Sequence, residues 1–223
     1  MIRLWHRFKS ISPRKKARLF STITMIYNFV SGGLKIFFGL ISSYFFAVIS
    51  GAYVLCIGMG KRIYFHGRAK SGGVLRKEIK YYRQIGIIIF TGAICYIIAM
   101  LRYVSFLEEL KRYDVLTSIA LCVISFVEIT LAVSGIIRAR KDKDLLMEGL
   151  KFINVITSLV ALITTEAVLL TWLRIGNASY VNGASGILIG LVSAGIGVTL
   201  FTKANYLDKK FAPKIIYASN HKK

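Results

Sequence analysis

The sequence predicts an all-α polytopic membrane protein with six transmembrane helices and both termini in the cytosol. Three observations predict it. Of the 223 residues 55% are hydrophobic and 18% charged, whereas soluble domains average about 45–50% apolar and about 25% charged residues. Mean hydropathy is +0.60, and the apolar residues fall into six runs, at 21–41, 44–60, 85–101, 116–137, 146–172 and 181–202. A transmembrane helix needs roughly 20 such residues, which the second and third runs reach by drawing on Ile63, Tyr64, Tyr81 and Tyr82. Finally, Lys and Arg gather on one side: seven in 1–20, eight in 61–83, four in 138–143 and six after 202. Only Arg102, Lys111, Arg112 and Arg174 fall in the opposite loops. Basic loops stay cytosolic.

The net charge of +21 is therefore read as attraction to a bilayer with anionic headgroups, not to nucleic acid. Residues 1–20 place Trp5, Phe8 and Phe20 among basic residues, which suits a short interfacial segment, with Pro13 expected to interrupt any single helix there. The run at 21–41 is too long for a cleaved signal and is read as retained. Lys35 lies well inside it, about fourteen residues or roughly 21 Å from the cytosolic end. The turn after Gly39 is short enough to make spans one and two a helical hairpin. The 61–84 segment, with its Ser-Gly-Gly break, is read as the longest cytosolic loop.

Glu128 lies roughly 14 Å deep in span four, and Glu166 lies towards the outer end of span five. Charges inside a bilayer are costly and mark functional hypotheses. Lys35 has the geometry to pair with Glu128 or with Glu166. Such a pair is read either as a clamp fixing helix register or as a proton or cation relay with Glu128 titrating. Glu148 and Lys151, three apart at the start of span five, are neighbours on the helix surface, with Asn154 on the same face. They read as a snorkelling helix start or as a polar cytosolic vestibule. Span six carries Gly183, Gly186, Gly190, Ala194 and Gly197 at steps of three or four, a stripe that lets another backbone approach closely.

Glu108, Glu109, Lys111, Arg112 and Asp114 read as a solvated loop. Cys56, Cys95 and Cys122 fall in separate spans without C-x-x-C spacing and read as small buried apolar residues. His6, His66, His221 and all four aspartates lie outside the spans. No cluster has metal-ligand spacing, and no phosphate loop or nucleophile elbow occurs. Neither a cofactor nor enzymatic activity is expected.

Asn28, Lys35 and Gly39, seven and four apart and followed directly by a second span, look like the first hairpin of the cation diffusion facilitators. The stretch "YFHGRAK" at 64–70 resembles the basic glycine-containing motif of that family's second cytosolic loop. "LLMEGLKFINVITSL", 145–159, is similar to the opening of its fifth span. The resemblance covers residues 22–202 and implies six spans, cytosolic termini, a possible homodimer, and export of zinc or a similar divalent cation in exchange for protons. The family's metal site uses two pairs of His or Asp, four apart, in spans two and five. The matching positions here are Tyr53 with Ile57, and Lys151 with Val155 or Leu150 with Asn154, Cys56 lying one place off. None is His or Asp, and Lys151 repels a divalent ion. The family's C-terminal ferredoxin-like domain is also missing from the sequence. The sequence thus points to a transporter-like scaffold without the metal site, moving protons or another cation. The alternative is a non-transporting partner, regulatory or immunity-type membrane protein. The Lys/Arg and Ile content suggests a bacterial plasma membrane.

Overall fold

Six helices follow one another: α1 (Pro13–Ile41), α2 (Phe45–Ser71), α3 (Leu75–Ser105), α4 (Val115–Ala139), α5 (Leu145–Trp172) and α6 (Ala178–Asn220). The structure, a computed structural model, describes residues 13–105, 115–139, 144–173 and 178–220. The interfacial segment around Trp5 and Phe8 and the charged loop at 108–114 lie outside the described residues.

Every helix contains a stretch long and apolar enough to cross a membrane, so the chain is a multi-pass membrane protein. The distribution of side chains agrees. Ile23, Val30, Phe37, Val123, Phe126, Leu188 and Leu191 are exposed around the bundle, while Asn28, Lys35, Lys61, Glu128 and Asn154 are buried within it. In water so extensive an apolar exterior would drive aggregation; in hydrocarbon it is the expected solvent-facing surface.

α1 begins at Pro13, at the position where its missing N–H leaves no bond unmade, so the break expected there needs no correction. Other local expectations do. The 61–84 loop is almost wholly helical. α2 runs on to Ser71, and the reversal is confined to a short turn in which Gly72 and Gly73 have φ of 54° and 82°, the left-handed region glycine enters freely. Nor are the cysteines buried: Cys56 and Cys122 are half-buried and Cys95 is exposed, because on α3 the inward positions are Ala93 and Tyr96.

Close backbone approach sets the packing. In the α1–α2 hairpin a Cβ on Gly51 would lie 2.7 Å from the Gly32 carbonyl oxygen, and one on Gly39 would lie 2.9 Å from the Val48 nitrogen. The small-residue stripe of α6 packs along α3, with Gly183 against Val104, Gly186 against Met100, Gly190 against Ile97 and Gly197 against the backbone of Phe90. Without a hydrophobic drive between helices in lipid, such contact is the main source of association. α2 and α5 are the most buried helices and touch each other at the centre, while α1 meets α4 along one side.

Candidate functional site

The α1–α4 seam joins two stripes at helical spacing. On α1 the buried positions Thr24, Asn28, Ser31 and Lys35 recur at steps of four, three and four; on α4 they are Ser118, Leu121, Ser125, Glu128 and Ala132. The faces that meet are polar and those that face lipid are apolar, so burial of the polar groups orients both helices.

At the middle of the seam Lys35 Nζ lies 2.5 Å from Glu128 Oε2, with both side chains 0% exposed. Ser31 Oγ donates to the other carboxylate oxygen, Oε1, at 2.6 Å. Each Glu128 oxygen therefore has its own donor, the arrangement a buried carboxylate requires. Above and below, Ser42 Oγ donates to Thr117 Oγ1 at 3.3 Å and the Tyr27 hydroxyl donates to the Ile124 carbonyl at 2.9 Å.

A second ammonium enters from α2. Lys61 is 1% exposed, and its Nζ donates to Asn28 Oδ1 at 3.4 Å. Among the described residues the ion-pair partner of Glu128 is Lys35, and Lys61 makes no ion pair with it. This part of the bundle thus buries two lysines, Lys35 and Lys61, and one carboxylate, Glu128. The surplus extends to hydrogen bonding, since the buried Asn28 Nδ2 has no partner. On α5, Asn154 is 2% exposed, with an unpartnered Oδ1. Its amide packs on Gly135 of α4, where any side chain would collide with it.

The structure thus brings Asn28, Lys35 and Glu128 together and settles the partner of Lys35 as Glu128. Glu166 instead accepts from Ser185 Oγ at 3.2 Å. Glu148 pairs with Lys203 of α6 at 2.6 Å and accepts from the Tyr82 hydroxyl at 3.2 Å. Lys151, beside it on α5, is half-buried. At the same end of the bundle Arg68 pairs with Asp144 and lies 3.8 Å from Glu78, tying α2, α3 and the start of α5. Tyr53, Ile57 and Leu150, the positions matched to a metal site, are packed in the apolar core. Among the described residues no three of His, Cys, Asp and Glu converge.

Ser31 and Lys61 escape the sequence reading for different reasons. Ser31 was legible, standing three after Asn28 and four before Lys35 on the same face. Lys61 opens a basic run and so resembles the cytosolic loop residues that follow it. The signal against that was length: the run 44–60 falls short of a full span, and extending it to Ile63 and Tyr64 carries Lys61 inward. The chain matches no protein-family model and no curated protein.

Proposed function

We propose that this is a transporter-like plasma-membrane protein that moves protons, on a six-helix scaffold similar to the cation diffusion facilitators but without their divalent-metal site. Both termini lie in the cytosol, as the Lys/Arg asymmetry demands. The observation that carries the reading is the second buried ammonium. A cation without its own carboxylate is strongly disfavoured in a low-dielectric interior, so Lys61 is the group whose charge is free to change. Glu128, held by Lys35 and Ser31, is then the fixed counter-charge rather than the titrating member. Asn28, which accepts a hydrogen bond from Lys61, fixes the position of its ammonium. The surplus positive charge opposes entry of a divalent cation.

The test is proton flux into liposomes holding the purified protein and a pH-sensitive dye, under an imposed potential. Wild-type vesicles are expected to acidify well above protein-free ones. Lys61→Gln lowers the rate at least about tenfold, in line with loss of a positioned proton-transfer group, and the exposed-site control Lys209→Gln leaves it unchanged. Wild-type flux no faster than empty vesicles, or an unaffected Lys61→Gln, would sink the reading. A second reading, a non-transporting membrane partner, draws on the complete sealing of Lys35 and Glu128. Absent flux in a well-folded protein favours it.

A further inference from the structure

At the basic end of the bundle a pocket of about 410 Å³ opens between the first turns of α3 and the late part of α6. It is lined by Arg76, Lys77, Ile79, Lys80, Arg83 and Asp208. Arg76, Lys80 and Arg83 stand four and three apart, so they stack on one helix face, and Lys77 flanks them. Like charges at this spacing repel and weaken a helix. The single carboxylate present, Asp208, lies 3.6 Å from Arg83. Among the described residues Arg76, Lys77 and Lys80 have no ion-pair partner. Ile79, 2% exposed, anchors this part of α3 in the core, while Arg76, Lys77 and Lys80 are exposed beside it.

The place matters as much as the charge. α3 has 31 residues, about 46 Å at 1.5 Å per residue, against roughly 30 Å of hydrocarbon. Its apolar run begins only at Ile85, so the pocket stands where lipid headgroups and cytosolic solutes meet. Its volume falls in the range of small-molecule sites, about 300–1,000 Å³. Guanidinium groups match phosphate with paired donors, and ammonium groups add point charge.

We propose that this pocket binds a phosphate monoester group, carried either by a lipid headgroup or by a soluble molecule. The site is separate from the Lys61 cluster and does not depend on transport. The full chain is placed in phosphatidylcholine nanodiscs, and its thermal unfolding is followed with added inorganic phosphate, or with phosphatidic acid doped into the lipid. The wild type is expected to be stabilised by at least one of the two. Stabilisation by phosphatidic acid alone identifies a headgroup site, and stabilisation by inorganic phosphate in neutral lipid identifies a soluble ligand. Arg76→Gln with Lys80→Gln weakens the response at least about tenfold in ligand concentration, since each charge-assisted contact contributes about a decade. Arg62→Gln with Lys70→Gln, which removes the same charge from exposed positions of α2, leaves it intact. No response to either probe, or equal loss in both double variants, overturns the proposal, the latter by showing diffuse surface charge instead of a site.

Discussion

Replacing Glu128 with Ala is expected to destabilise the bundle by about 3–5 kcal/mol, the range for breaking a buried ion pair from one side. The loss comes less from the missing attraction than from the Lys35 ammonium left with no counter-charge at 0% exposure, and from Ser31 losing its acceptor. The diagnostic comparison is the double variant Lys35→Met with Glu128→Leu. Removing both charges abolishes the desolvation penalty as well as the pair, so most of the lost stability should return. Thermal unfolding in detergent reads both variants, and the double-mutant cycle isolates the coupling. If Glu128→Ala unfolds at the wild-type temperature, the pair is not what holds α1 to α4. If the double variant is as unstable as the single, the penalty is cavity and packing rather than charge.

A similarly large effect is expected at Gly197, from sterics alone. A Cβ there would lie 2.8 Å from the Phe90 nitrogen and 2.9 Å from its Cα, and a backbone cannot swing aside as a side chain can. Gly86 makes the reciprocal approach, its added Cβ meeting the Gly197 oxygen at 3.0 Å. Gly197→Leu should therefore part α3 from α6, at or above the roughly 1–3 kcal/mol typical of overpacking, and leave little monodisperse protein. Gly195 is the internal control. Nothing lies within 4 Å of a Cβ placed there, so Gly195→Leu should be tolerated and even gain helix propensity. Equal yields and melting temperatures for the two variants would remove the glycine crossing from the basis of the fold.

These contrasts show what was legible in the residues. Six apolar runs define six helices because backbone polar groups cannot be left unpaired in hydrocarbon, so the helix count follows from composition and order. The stripe on α6 was readable because its spacing requires close contact, though not which partner; only the structure names α3. Lys35 was conspicuous as a charge in an apolar run, but two carboxylates stood at compatible depths, and depth along a helix carries no information about which helix is the neighbour. Lys61 was obscured at a helix end, where a basic residue inside the span and one outside it look alike. The α2 helix continues past it because nothing breaks the chain before Gly72. The exposure of Cys95 is not legible in the sequence, since hydrophobicity alone does not say which side of a helix faces lipid.

The proton-moving function proposed above requires that Lys61, although buried by protein, be reached by water and protons from one face of the membrane. It is tested most directly by Lys61→Cys, in a background with Cys56, Cys95 and Cys122 replaced by Ala. A membrane-impermeant thiol reagent is applied from each side of sealed vesicles. Labelling from a single side in the folded protein is the expected result. A cysteine that stays unlabelled from both sides until the protein is dissolved in denaturant would mean a dry, sealed interior and would contradict it.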